Sequence, residues 1–435
     1  MPSQSHPNIL FVCFDSLSAI GGALSGNSVH TPVFDKLFDK SIRFSHAYTP
    51  CPESSPARAS LFTGLDPCVH GLWTNGVMLP SHTQTFPDIL SKTGYSNWLF
   101  GRWQMAGVSN WTTESIRHGS FSHIEWAHGP LHRSRQNAYL LWLQQTATDQ
   151  YEKIFASQPN ADDTNILPEQ RKAMSELPDD LSFNHWIGNS VRQNIVKQPT
   201  KHQKEQPFLA VAAMAVGSSM GSEPCADTDC EPLNKHAMEQ ADRALGTVLD
   251  DLDKHGKAQD TVIIITAARG TVENATGSLM CEQAIRVPLL IHSDSFDAQT
   301  IDRPVSTIDI APTVLDIAGL PVPQSMQGTS LLGVLSGSKK PRGWAISRLR
   351  STFDNQRHWK TALRAGKLKL VVSHGDPEKG KEASYELFDL DADPGEQRNL
   401  ADDDLHSADL ESMLDLMIDA RCALENRIEP RIAKF

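Results

Sequence analysis

The residue types best suited to chemistry lie between Thr49 and Gly64, in the run TPCPESSPARASLFTG. Ser54 supplies a hydroxyl, Pro56 follows two positions on and Arg58 four positions on. This composition predicts a tight turn running into a short helix, because proline presets φ and has no N–H to lose in a first turn. The Ser54 side chain then lies at or near the helix N-terminus, where unpaired N–H groups and the helix dipole favour an anion. Arg58, one helical turn on, can aim its planar fork at the same anion. A hydroxyl nucleophile, a helix start and an arginine together suit chemistry on a tetrahedral oxyanion such as sulfate or phosphate. The same residues also describe an ordinary capped helix.

Ser54-x-Pro56-x-Arg58 followed by Ala59-Ser60-Leu61-x-Thr63-Gly64 resembles the maturation motif of the sulfatases, in the alkaline-phosphatase-like superfamily. In that family a Cys or Ser at the first position is oxidised to formylglycine, whose hydrate attacks sulfur. The resemblance implies that Ser54 is the position converted. Cys51 lies nearby but is out of register with Pro56 and Arg58.

Composition bounds what surrounds this stretch. A chain of 435 residues holds one large core plus a smaller domain. With 39% hydrophobic and 21% charged residues it has the make-up of a soluble globular protein. A formal net charge of −12 argues against general nucleic-acid binding, since the phosphate backbone is repelled. The opening MPSQSHP lacks a basic n-region, and the apolar run that follows is too short to span a membrane. A cytoplasmic protein with no membrane partner is therefore expected. Seven scattered cysteines make no disulfide framework, and Cys225 and Cys230 alone are a weak zinc signal.

The elements that must position Ser54 can be taken in chain order. Asn8 to Phe14 reads as a buried strand ending in Asp15-Ser16, and ligands of open α/β sheets sit just past such strand ends. Asp15 could equally cap the next segment. Sulfatases begin with a similar strand whose end carries two acidic residues, or Asp then Gln, that bind a divalent cation. By that resemblance Asp15 is a retained metal ligand and Ser16 replaces the second. An amphipathic helix from Thr31 and a strand over Ser41 to Tyr48 then lead to the Ser54 turn. His70, in His70-Gly71, is read as a hydrogen-bonded packing residue. A helix around Thr85 to Gly94 and a strand over Tyr95 to Phe100 run into Gly101-Arg102-Trp103-Gln104. The similar sulfatase segment is Gly-Lys-Trp-His, whose Lys and His contact formylglycine and sulfate. Arg102 keeps the positive charge but is a fixed fork that does not donate its proton, and Gln104 hydrogen-bonds without titrating.

Residues 108–205 are polar and carry helices expected near 137–149, 167–177 and 185–197. This region is expected to rim the pocket. The apolar run 207–216 is a buried strand; where the family supplies a His at its end, this chain has Ala215-Val216-Gly217-Ser218-Ser219. His236 to Lys254 is an amphipathic helix with a core-facing Met–Leu stripe. The strand from Thr261 ends in Thr266-Ala267-Ala268-Arg269-Gly270, where sulfatases have Thr-Ser-Asp-His-Gly and use the Asp as a metal ligand. Glu282 to Ile291 matches the family's Glu-x-x-Ile-Arg-Val-Pro strand, with Gly277 in place of an expected Lys.

These departures bear on calcium, the cation the family implies. Calcium takes six or more oxygen ligands, including several carboxylates. A guanidinium about 4 Å from a dication opposes it by roughly 8 kcal/mol at an effective dielectric near 20. No tightly held calcium is expected. Instead Arg58, Arg102 and Arg269 could converge on the pocket and replace the metal's charge, with Asp15 paired to one of them; alternatively Arg269 swings out to solvent.

Ser306 to Gly319 resembles a family helix, 337–343 is the best linker, and Asp391 to Ala401 resembles the family turn before a last helix, here 405–425. Short strands are expected at 344–347, 360–364, 368–372 and 385–389. The resemblance thus implies a large, mixed, mostly parallel sheet flanked by helices over 1–336. A small antiparallel sheet with a C-terminal helix follows over 344–435. Three functions follow. The first is a sulfatase relative with degraded catalysis that binds a sulfate-like oxyanion through Arg58, Arg102 and Arg269. The second is a working sulfuric ester hydrolase using matured Ser54 with Arg58, Arg102 and Gln104, with phosphate or phosphonate esters a lesser variant. The third is an inert partner of an active homologue.

Overall fold

The computed structural model describes residues 6–19, 29–107, 112–116, 119–155, 168–197, 206–216, 230–271, 278–351, 358–376 and 380–425. At its centre is β1 (Asn8–Ser16), in which every residue from Ile9 to Ser16 is buried. It is flanked by two equally apolar strands, β6 (Phe208–Met214) and β7 (Thr261–Arg269), both parallel to it. Unbroken apolar runs, without alternation, are what a parallel strand covered on both faces requires.

The remaining strands of this sheet are β2 (Ile42–Phe44), β4 (Ser96–Gly101), β5 (His123–Trp126), β9 (Leu289–His292) and β10 (Gln299–Ile301). Their order across the eight strands is β10-β2-β9-β7-β1-β6-β4-β5. Among the described strands of the sheet, β9 alone runs against the others. The large, mostly parallel sheet expected from the sequence is therefore present. Its parallel strands bring their C-terminal ends to one edge, so Asp15, Gly101 and Arg269 arrive together. Register sharpens this, because Ser16 pairs with Arg269 and Gly101 with Ala213.

Helices cover both faces. Phe11 packs on Phe62 and Phe86, whereas Phe14 packs on Phe34; strand residues three apart point to opposite sides of a sheet. Helix Ser54–Thr63, which carries Phe62, thus lies on the face to which Asp15 also belongs. All ten of its residues are buried. It ends at Gly64 in the left-handed conformation, with φ of 68°. Gly64 is the residue type that takes this cap without strain, and its carbonyl accepts from Gln327 and Gly328 N–H. A row of rings from Phe86 through Phe62 to Trp103 and Phe121 then ties this helix to the segment after β4.

Several expectations are revised in detail. Ser41 to Tyr48 is two strands rather than one, β2 and β3 (Ala47–Tyr48), because a turn at Ser45 and His46 passes the chain to a second sheet. That sheet is β11-β3-β8, with β8 (Arg286–Val287) and β11 (Val305–Ser306). Glu282 to Ile291 opens as a short helix, Glu282–Ile285, before its strands. The 137–149 segment is two helices, Ala138–Thr146 and Thr148–Phe155, parted by the non-helical Ala147. The helix expected from His236 starts at Cys230. Gly217 to Ser219, Cys225 and Gly277 lie outside the described residues. Among those described, Cys13, Cys51, Cys68 and Cys422 are free, and no helix is long and apolar enough to cross a membrane.

The C-terminal sheet is antiparallel, in the order β12 (Trp344–Ser351), β13 (His358–Ala365), β14 (Leu368–Ser373), β15 (Ser384–Asp389). Helix Ser407–Glu425 buries Met413, Met417, Ala420 and Leu424 against Leu363, Leu370 and Leu387. This sheet grips the chain just before Ser54. Ser347 Oγ donates to the Thr49 carbonyl at 2.6 Å and Arg348 N–H to that of Pro50 at 2.8 Å. Beneath them Arg364 bonds Tyr48 at 3.0 Å, Tyr48 bonds Glu282 at 2.9 Å, and the wholly buried Lys369 pairs with Glu282 and Glu396.

Gly101 joins β4 to the site and gives a first test. Its φ is +93°, and a Cβ there would stand 2.7 Å from the Ala213 carbonyl oxygen. Gly101→Ala should lower unfolding stability by about 1–3 kcal/mol, read as an earlier urea midpoint at unchanged m-value.

Candidate functional site

Ser54 is the first residue of its helix, with Glu53 as N-cap, and is 6% exposed. Glu53 fastens the turn outside the helix: its carboxylate accepts from Thr74 Oγ1 at 2.6 Å and Asn75 N–H at 2.9 Å. Asn75 in turn accepts the Ser55 N–H at 2.9 Å. Arg58, one turn on, is fully buried. The sequence placed both residues correctly on the helix.

Arg58 and Arg102 both turn to Asp15. Arg102 Nη1 lies 2.6 Å from one carboxylate oxygen and Arg58 Nη2 3.4 Å from the other. Arg58 Nη1 also donates to the Arg102 carbonyl at 3.3 Å, and Arg102 Nε to the His128 carbonyl. Burial pushes the Asp15 carboxyl up, but Arg102, then Arg58 and Arg269, outweigh it and hold the group well below the usual carboxylate range. Burial likewise lowers the Arg102 guanidinium, with Asp15 opposing the fall.

Arg269 settles one alternative. It is turned inward, with Nε donating to Ser54 Oγ at 3.0 Å and Nη1 to the Gly270 carbonyl at 3.1 Å. The structure thus brings together Ser54, Arg58, Arg102, Arg269 and Asp15, and Asp15 pairs with two arginines rather than one. Three guanidinium groups thus meet the single carboxylate of Asp15 near the Ser54 hydroxyl, with the Glu114 carboxyl acting on Arg102 from beyond.

Gln104 stands in the left-handed region with φ of 59°, a conformation costing about 1–3 kcal/mol for a residue with a Cβ. Glu114 holds it there. Its carboxylate accepts the N–H groups of Gln104, Met105 and Ala106 at 2.7, 2.5 and 3.1 Å, and Trp126 Nε1 at 3.2 Å. Burial raises the Glu114 carboxyl despite these bonds. Gln104 Oε1 is buried without a hydrogen-bond partner. The sequence reading missed Glu114, which sits in a polar run with no local pattern. It also missed His128, just past β5, a strand it did not expect. Burial and then Arg102 push the His128 imidazole well below its ordinary range.

A divalent cation does not fit this residue set. Both Asp15 oxygens are taken by guanidinium groups, and Ala268 carries no ligand atom. Arg269, not a carboxylate, is what reaches Ser54. Among the described residues no three His, Cys, Asp or Glu side chains cluster to hold a metal. In this structure Asp15 is the ion-pair partner of Arg58 and Arg102.

Two neighbours are structural. His70 is buried, bridging Ser60 Oγ at 2.9 Å and the Leu72 N–H at 3.1 Å, and burial lowers its pKa to about 3. Burial raises the Cys51 thiol well above its ordinary value, so it is held as a neutral thiol.

Residues 7–320 match the family model for sulfatases, so the chain belongs to the sulfatase family. Residues 276–422 match the C-terminal model of N-sulphoglucosamine sulphohydrolase. An uncharacterized sulfatase, YidJ, of Escherichia coli K12 is 26% identical, covering 96% of this chain and 87% of its own. An N-acetylglucosamine-6-O-sulfatase of Bacteroides thetaiotaomicron is 23% identical, covering 91% and 82%. The solved phosphonate monoester hydrolase of Silicibacter pomeroyi superposes with a TM-score of 0.75 at 19% identity, covering 95% of each chain. The fold is therefore the alkaline-phosphatase-like one.

Asp15→Asn strands two buried guanidinium groups and should cost about 3–5 kcal/mol at neutral pH. The depressed folded pKa means that Asp15's stabilisation is complete above its unfolded value of about 3.9 and lost only below it. Urea titrations should therefore show wild type and variant converging as pH falls below about 4. His70 works over a higher window. Its folded pKa lies below the unfolded value, so its contribution is complete above about pH 6.5 and drains as pH falls toward 3. His70→Gln should start less stable at pH 8 and lose less melting temperature between pH 6.5 and 4.

Proposed function

We propose that this sulfatase-family chain binds a sulfate ester, or a related small oxyanion, through its arginines and is impaired as a hydrolase. One observation carries this reading: the Ser54 hydroxyl is hydrogen-bonded to the Arg269 guanidinium. A nucleophilic hydroxyl needs a neighbouring group to take its proton, and a guanidinium stays charged throughout the accessible pH range. The neighbours that survive in place of titratable groups are Arg102 and Gln104, which bind anions and donate hydrogen bonds but transfer no proton. Three guanidinium groups around one Asp15 carboxylate favour an anionic oxygen cluster entering beside Ser54.

A working sulfuric ester hydrolase is the second reading, and a phosphate or phosphonate ester hydrolase is a variant of it. The intact Ser54-x-Pro56-x-Arg58 and Leu61-x-Thr63-Gly64 elements favour it, folded as the start of one buried helix. Formylglycine at Ser54 would supply the nucleophile in that case.

Two measurements separate the readings. The mass of the Ser54 peptide, from protein made in its own host, should match unmodified serine where that host matures other sulfatases. A peptide lighter by two hydrogens, with Ser54-dependent turnover of an aryl sulfate, would overturn the impaired reading. Inorganic sulfate should bind by calorimetry, with Arg269→Ala weakening it about tenfold, the loss of one charge-assisted hydrogen bond. Calcium should not raise the melting temperature.

A further inference from the structure

Beside the site, the C-terminal sheet meets the rim of the main sheet through a stacked arginine. The Arg350 guanidinium carbon lies 4.9 Å from the Trp73 ring centre and 4.6 Å from that of Trp359. Arg350 and Trp359 face each other across β12 and β13. Trp73 comes from the other side, two residues before Asn75, whose side chain anchors the start of the Ser54 helix. Two residues span at most about 7 Å of backbone, so the stack is a neighbour of the reacting end and not a remote patch.

Its chemistry is that of a ligand site. Trp359 is 39% exposed, and Val77 and Met78, four and five residues after Trp73, are 38% and 63% exposed. Arg350 makes no ion pair with a described residue, although the chain carries a net charge of −12 and so has carboxylates in excess. A guanidinium held over two indoles is preorganised by cation–π attraction, and little side-chain entropy is lost when it binds an anion. Indole rings in turn offer an apolar face to the C–H face of a pyranose.

We infer that Trp73, Arg350 and Trp359 form a second subsite for the non-reacting part of a sulfated saccharide. The tryptophans receive the sugar ring, and Arg350 binds a second sulfate or carboxylate beyond the one beside Ser54. This inference rests on the sulfate-ester reading above and adds to it the substrate class. The C-terminal sheet thereby contributes to ligand choice as well as to stability.

The test compares inorganic sulfate with a glucosamine disaccharide carrying two sulfates, by calorimetry on the whole chain. Wild type should bind the disaccharide at least about tenfold more tightly than sulfate. Arg350→Ala and Trp359→Ala should remove that advantage and leave sulfate affinity unchanged, whereas Arg269→Ala should weaken both ligands. Arg350→Lys, which keeps the charge but not the fork or the stack, should recover part of the advantage in a folded protein. If the Arg350 and Trp359 variants keep the full preference, or lose both ligands alike, the subsite does not exist. If wild type binds neither ligand, the sulfate-ester reading falls and the subsite falls with it.

Discussion

The carboxylate of Asp15, held between Arg102 at 2.6 Å and Arg58 at 3.4 Å, is the contact on which the rest of the site depends. Each of these groups is expensive to take out of water alone, and the cost is offset only when opposite charges meet in good geometry. The three come from a strand end, a helix interior and the segment after another strand. The sheet register, the buried helix and the loop at Arg102 must therefore all be correct before any of them is satisfied. Glu114 is part of this requirement, since it holds the backbone beyond Arg102 in a shape that Gln104 would not adopt unaided.

Guanidinium groups and a metal ion differ in what they offer a site. A guanidinium is covalently attached and permanently charged, so the positive potential at Ser54 does not depend on the concentration of an ion. Its donors also point in fixed directions, which suits recognition of a tetrahedral anion. Ser54 itself accepts a hydrogen bond from Arg269 at 3.0 Å, and a guanidinium stays charged and takes up no proton. Binding and bond-breaking place different demands on the same few residues, because binding an anion needs fixed donors and activating a hydroxyl needs a proton acceptor.

Around this centre the packing divides the labour. The rings of Phe86, Phe62, Trp103 and Phe121 lock the Ser54 helix to the Arg102 segment from within. The C-terminal sheet locks it from outside, through Ser347 and Arg348 on the carbonyls of Thr49 and Pro50. That outer clamp also carries Arg350 to Trp73, two residues before the Asn75 that anchors the start of the Ser54 helix.

What the sequence determined by itself was local or periodic. The apolar run from Ile9 to Phe14 had to be a buried strand, Pro56 marked a helix starting near Ser54, and the run 405–425 closed the chain as one more helix. Departures at Ser16, Arg102, Gln104, Ala268 and Arg269 were equally plain, because residue identity needs no coordinates. Only the tertiary structure decided where the long side chains point. Whether Arg269 faced Ser54 or solvent, and whether Asp15 took one arginine or two, turned on Coulomb energies between residues up to 254 positions apart, counting from Asp15 to Arg269. The roles of Glu114 and His128 were invisible for the same reason: both act through groups brought to them by the sheet. A chain's own sequence specifies its propensities, but the free energy of a buried charge depends on which other charges the fold delivers beside it.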